Sequence, residues 1–425
     1  MITAIIIIFF TGYFLITIEH AIRINKAATA MVTGVLCWTI YIVLNNEKEI
    51  INDHLTEHLG ELSAILFFLL GAMTIVELID AHNGFQILTD KITQTNKKKL
   101  LWIVSFLAFF LSPILDNLTT TIVMVTLLRK LVSDRTDKLY FIAMIVIAAN
   151  AGGAWSPIGD VTTTMLWIGG QVTTFNIITA LILPSLACLL IPLVILTAKM
   201  KGKVEVINED AGPPIQMLSR RQQLIVLFSG IIILILVPVF KTLTHLPPYM
   251  GILIGLGILW IITELIHGDK DEQDRHTLSV SHALRKIDTP SILFFLGILL
   301  AIAALETSGV LHTVAEWLDM NIKNTNLVVI LLGLLSAIID NVPLVAASQG
   351  MYGLDQFPVD DPFWEFLAYC TGTGGSLLII GSAAGVAAMG MEKINFFWYF
   401  KKISWIALLG FLAGAIIYLL QVYIM

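Results

Sequence analysis

Apolar runs of bilayer length alternate with short polar stretches along the whole chain. A transmembrane helix needs about 20 predominantly apolar residues. That criterion predicts spans over 2–18, 27–44, 62–80, 140–170, 176–198, 223–240, 250–266, 291–318, 364–391 and 403–424. Two further apolar stretches, 100–129 and 326–350, behave differently. Each is broken in the middle by Asp-Asn: Asp116-Asn117 within LSPILDNLTTTIVM and Asp340-Asn341 within LSAIIDNVPLVAAS. At about 25–30 residues each, they are too short for two full crossings.

Flanking charge decides how these two stretches run. Lys97, Lys98 and Lys99 precede the first, and Arg129, Lys130, Arg135 and Lys138 follow it. Basic loops mark the cytoplasmic side, so both ends of this stretch face inward and the segment reads as a hairpin that dips and returns. The second has Glu316 and Asp319 before it and Asp355, Asp360, Asp361 and Glu365 after it, with Lys323 the nearby base; both of its ends read as external. The loops 199–222 and 392–402 are basic and inside, 45–61 is acidic and outside, and the mixed 267–290 is assigned inside. The sequence therefore predicts an all-α polytopic membrane protein with ten crossings, two re-entrant hairpins and both termini outside.

A repeat follows from the same pattern. Residues 68–80 (FLLGAMTIVELID) lie over 294–306 (FFLGILLAIAALE), matching Gly71 to Gly297 and Asp80 to Glu306. Asp116-Asn117 then meets Asp340-Asn341, and Gly152-Gly153 and Gly159 meet Gly374-Gly375 and Gly381. Each half holds five crossings and one hairpin, and an odd number inverts the second. The expected units are 1–200 and 223–425, joined by a polar cytoplasmic connector, 201–222, that holds Gly212-Pro213-Pro214. Each unit has a broken helix, near 140–170 and 364–391. Inverted repeats with interrupted helices place binding sites at the midplane.

Composition agrees: 57% of residues are hydrophobic, 13% are charged, and the mean hydropathy is +0.87. The net charge of −6 says little, since in membrane proteins the distribution of charge decides topology. The basic runs read as topology signals, and no nucleic-acid partner is implied. Cys37, Cys188 and Cys370 lie far apart in apolar segments, as small buried hydrophobes.

An ionised carboxylate at membrane depth costs about 2.5–3.5 kcal/mol on insertion scales, and this chain carries one in matching places twice. At a hairpin tip, freed backbone carbonyls need partners where water is scarce. A dehydrated Na⁺ is such a partner, because hard cations favour oxygen ligands. The candidate first site comprises Asp116, Asn117, Thr119 and Thr120 at the tip, with Asn150, Asp160, Thr162 and Thr163 around the glycine-rich break. Na⁺ is expected at Asp116, Asn117, Asn150 and Asp160. In the second half Asp340 and Asn341 face Thr371 and Thr373, with Ser382 standing where the first half has Asp160. Only the first site has two carboxylates, so Asp340 is expected to complete the region from the other side. Glu77, Asp80 and Glu306, near the ends of their spans, are candidates for coupling, and His82 reads as a solvated loop residue. Burial favours the protonated carboxylate and a bound cation the ionised one, so such a site holds either a proton or Na⁺, which suffices for exchange.

SPILDNLTTTIVM, NAGGAWSPIGDVTTTMLWIGGQV and AIIDNVPLVAA together resemble the NhaD-type sodium/proton antiporters of the ion transporter superfamily. The resemblance covers roughly residues 60–425. It implies exchange of Na⁺ or Li⁺ for H⁺, activity favoured at alkaline pH, a bacterial inner membrane (plastid members also exist) and a homodimer. No resident cofactor is implied. Arsenite-permease members of the superfamily resemble the chain only around GG…IGD, and dicarboxylate members carry neutral Ser-Asn-Thr at the hairpin tips. Arsenite or another small solute on the same scaffold is the alternative, but no cysteine lies next to either Asp-Asn. An aspartyl protease would need its Gly-x-Gly-Asp signature, whereas Asp160 follows Pro157-Ile158-Gly159, so an enzyme is not expected.

Overall fold

A computed structural model describes residues 1–89, 92, 94–204, 218–268, 277–322 and 324–424. Gly212-Pro213-Pro214, most of the 201–222 connector, the charged centre of the 267–290 loop and Lys323 lie outside the described residues. Among those described, the chain is helical without a β-sheet. The first half contains α1 (Ile2–Thr17), α2 (Lys26–Val43), α3 (Lys48–Ala81), α4 (Lys97–Leu115), α5 (Asn117–Leu131), α6 (Arg135–Ala154), α7 (Val161–Ile168) and α8 (Thr174–Lys199). The second contains α9 (Arg220–Thr244), α10 (Pro248–Ile266), α11 (Thr289–Thr307), α12 (Val310–Asn321), α13 (Thr325–Leu335), α14 (Asn341–Met351), α15 (Pro362–Gly374), α16 (Ala383–Glu392) and α17 (Phe396–Ile424). Nine of the described helices are long and apolar enough to cross a membrane: α2, α3, α4, α6, α8, α9, α10, α11 and α17.

Three sequence expectations shift. The acidic 45–61 stretch is not a loop but the first part of α3, whose 34 residues extend about 51 Å, well beyond a hydrocarbon core of about 30 Å. Its Glu, Lys and Leu residues favour helix, and Ile51 is buried on the inner face. The expected single span 291–318 is split into α11 and α12, because Gly309 takes φ 79° and turns the chain after Ser308 caps α11. The first Asp-Asn stretch is longer than expected, since Lys97–Lys99 already belong to α4; its 19 residues alone reach about 28 Å. The arms of the second, α13 and α14, have 11 residues each and span only about 16 Å.

The centre of the bundle is α6, which is apolar all round and completely buried from Phe141 to Ala154, as a helix without a polar face must be. It packs on α4 and α5, and on α15 of the other half. Small residues permit these approaches. A Cβ on Gly152 would lie 2.4 Å from the Phe109 carbonyl oxygen, and one on Gly374 would lie 2.0 Å from that of Gly333. Away from this centre, α2 packs on α11, α10 on α3, and α8 on α17.

Candidate functional site

Asp116 stands where α4 ends and α5 begins, with φ 71° and ψ 162°. That backbone is rare for a non-glycine residue, and it reverses the chain so that α5 packs back on α4. The carboxylate accepts bonds from the Thr119 amide at 2.7 Å and the Thr119 hydroxyl at 2.9 Å. Thr119 thus serves Asp116 first, where the sequence suggested a free ligand. Thr120 is fully buried and its hydroxyl makes no hydrogen bond among the described residues.

The break after α6 is built by packing. Ser112 Oγ donates to the Ala149 carbonyl at 2.6 Å and Ser156 Oγ to the Pro113 carbonyl at 2.7 Å, pinning the break to α4. The chain restarts at Asp160, which caps α7 through the Thr162 amide at 3.3 Å. The Thr162 hydroxyl is buried without a hydrogen bond among the described residues, while Thr163 and Thr164 return theirs to the Asp160 carbonyl.

The four interrupted elements converge here. Asn117 Nδ2 donates to Asn150 Oδ1 at 3.0 Å, and Asn150 Nδ2 contacts Ser376 Oγ and Ser382 Oγ, each at 2.9 Å. Asn341 Nδ2, from the second tip, donates to Asp160 Oδ2 at 3.3 Å. Asp160, only 2% exposed, lies within coulombic reach of both Asp116 and Asp340. No lysine or arginine pairs with Asp116 or Asp160 among the described residues, and no cluster of three His, Cys, Asp or Glu forms. The donors are therefore carboxylate and neutral oxygens, a set suited to a hard cation.

Other candidates fall elsewhere. Asp340 is met by Lys26 Nζ at 3.6 Å. The Thr371 and Thr373 hydroxyls return to their own helix at the Leu367 and Tyr369 carbonyls. Glu77 pairs with Lys286 at 3.5 Å at one end of α3, and Asp80 beside it is exposed. Glu306 opens onto a cavity of about 480 Å³ whose lining includes His58, Glu61, Gln171 and Gln349. His82 is not solvated: it is fully buried, with its Nε2 2.8 Å from that of His267, because the turn after α3 folds against the end of α10.

Sequence reasoning missed Glu365, which it took for an external flank. It is buried on α15, bonded by Tyr418 at 2.7 Å and by Asn176. It also missed Lys26 and the reach of Asn150 across the halves to Ser376 and Ser382.

Long apolar helices around a polar, interrupted centre define a multi-pass membrane protein. The citrate transporter family matches residues 7–364, and the chain belongs to this family. It is similar to sodium/proton antiporter 1 of Arabidopsis thaliana, 51% identical over 418 residues, covering 98% of this chain and 72% of that protein. It is similar at 49% to sodium/proton antiporter 2 of the same plant, covering 97% and 98%. The Na⁺/H⁺ antiporter NhaD of Alkalimonas amylolytica is 30% identical over 448 residues, covering 97% of this chain and 89% of that protein.

Proposed function

We propose that this protein is a secondary transporter that exchanges Na⁺, and also Li⁺, for H⁺ across a membrane. Asp160 carries the reading: a buried carboxylate without a lysine or arginine partner among the described residues, touched by the second hairpin tip. The relatives named as sodium/proton antiporters support it. Asp116, Asn117, Thr120, Asn150, Asp160 and Thr162 form the cation site, with Thr119 holding Asp116 in place. Burial disfavours an isolated ionised carboxylate, so the site takes up either a proton or a cation when it closes. Coupled carboxylates share this titration. Opening the loaded site to alternate sides converts that competition into exchange.

The two halves are inverted repeats, 1–200 and 223–425, with α4–α5 and α13–α14 as re-entrant hairpins. Matched hydrogen bonds support this: Ser112 to the Ala149 carbonyl and Ser336 to the Thr371 carbonyl, at 2.6 and 2.7 Å. So do the matched breaks, where Asp160 caps α7 and Ser382 caps α16. Each returning arm also lies on the short helix of the opposite half, α5 on α16 and α14 on α7.

The family description names citrate, an anion that the unpaired Asp116 and Asp160 would repel. Arsenite finds little thiol here, since all three cysteines are buried. The test is proton flux in vesicles holding a preset ΔpH, followed with a pH dye at alkaline pH. Dissipation by Na⁺ or Li⁺, but not by K⁺, arsenite or citrate, is expected. No response to any alkali cation would overturn the reading.

A further inference from the structure

We propose that Lys26 is a tethered counter-cation at the second hairpin. Its ammonium stands beside Asp340 in the place that a transported Na⁺ takes beside Asp116 and Asp160. The proposal rests on the exchange reading above and names what limits cation binding in it.

The pair is built, not casual. Lys26 Nζ lies 3.6 Å from Asp340 Oδ2, with side-chain exposures of 25% and 19%. The ammonium also sits 4.3 Å from the centre of the Phe294 ring, a cation–π contact supplied by α11. The Lys26 amide donates to Glu19 Oε2 at 3.1 Å, fixing the start of α2. A cavity of about 130 Å³ bounded by Tyr13, Glu19, Lys26, Phe294 and Asp340 surrounds the pair.

Helix energetics give Lys26 no reason to be there. It is the first residue of α2, where the macrodipole disfavours a cation, and the capping is done by Asn25, which accepts from the Ala27 amide at 2.8 Å. The first half has no equivalent among the described residues: no lysine or arginine pairs with Asp116, whose carboxylate accepts from the Thr119 amide and hydroxyl. The two Asp-Asn tips both cap their returning helices, but they differ in backbone, with Asp116 at φ 71° and Asp340 at φ −50°, and in charge. A Na⁺ brought to Asp340 would lie within about 4 Å of the ammonium, which weakens its binding on the order of a thousandfold. One Na⁺ site per chain follows, formed around Asp116 and Asp160.

The test counts radioactive Na⁺ bound at equilibrium by the purified full chain at alkaline pH, for wild type and for Lys26→Met, Lys26→Arg and Asp340→Asn. Wild type and Lys26→Arg are expected to bind one Na⁺ per chain, and Lys26→Met to gain a second, weaker one. Asp340→Asn is expected to keep one. Wild-type stoichiometry and affinity in Lys26→Met overturn the proposal while leaving the exchange reading intact, and so does a wild type that binds two. Should Lys26→Met not fold, Asp340→Asn decides: a loss of the bound Na⁺ makes Asp340 a Na⁺ ligand and overturns it. A wild type that binds no Na⁺ overturns the exchange reading and this proposal together.

Discussion

Replacing Asp160 by Asn separates its charge from its structural duty. The side chain caps α7 through the Thr162 amide, and Asn caps as well as Asp, so α7 should survive. The second bond, from Asn341 Nδ2, survives if one amide rotates to present its oxygen. What disappears is the negative charge. At a hard-cation contact of about 2.4 Å and an effective dielectric of about 20, a carboxylate attracts Na⁺ by about 7 kcal/mol. Desolvation of the buried carboxylate offsets several kcal/mol of this. A net loss of about 3 kcal/mol is already about 150-fold in affinity. Asp160→Asn should therefore insert and melt like wild type, yet show no saturable Na⁺-driven proton flux in vesicles. A variant that exchanges with a half-saturating Na⁺ concentration within about threefold of wild type would refute the assignment.

Thr119→Ala removes the 2.9 Å bond to Asp116 Oδ2 and leaves the amide bond in place. A charge-assisted bond worth about 1.5 kcal/mol predicts Na⁺ affinity about tenfold weaker, with Thr119→Ser near wild type, both read from flux against Na⁺ concentration. In Gly374→Ala the new methyl would meet the Gly333 carbonyl at 2.0 Å, more than an ångström short of ordinary contact. A loss of about 3 kcal/mol should lower the melting temperature, while Gly390→Ala, with open space around it, should not. His58, on the part of α3 that extends past the apolar span, is raised above the ordinary imidazole value by its contact with Glu61, 3.6 Å away, and further by the charges of Glu306 and Glu57 against the opposing effect of burial. The His58–Glu61 contact is therefore fully present below the unperturbed value and is lost as pH rises through the raised one. Glu61→Gln should bring the His58 titration, followed by NMR, back down; an unchanged titration would show that Glu61 is not the cause.

The centre of the candidate site was legible because membrane burial makes charge conspicuous: Asp116 and Asp160 stand out against apolar neighbours, and the glycines around Asp160 announce a break. Partnership was less legible. No local pattern says that Asn150 reaches Ser376 and Ser382, more than 200 residues away, or that Lys26 meets Asp340 across more than 300. Glu365 was misread because an acidic residue beside a loop looks external until Tyr418 and Asn176 close over it. The extension of α3 was hidden by a criterion that follows apolarity, whereas helices continue into water when propensity and one buried face allow. The split at Gly309 lay in plain view, but a single glycine inside an apolar run does not by itself distinguish a turn from a packing contact.

The bonds at the centre cross between halves, and this limits how the molecule can move. Asn150 on α6 holds Ser376 and Ser382 at the opposite break, Asp160 takes a bond from the opposite tip, and α5 and α14 each lie on the short helix of the other half. Separating the two interrupted units would break these bonds in a place where water cannot replace them, at about 1–3 kcal/mol for each group left unsatisfied. By contrast, the interrupted core meets α11 through the short α14, and α2 through the Lys26–Asp340 ion pair at a partly exposed position. The weaker seam is therefore the one between the interrupted core and the long helices α2, α3, α10 and α11. Under the exchange reading proposed above, motion along that seam would carry Asp160 as part of an intact unit, so that the proposed site would keep its ligands while its access changed.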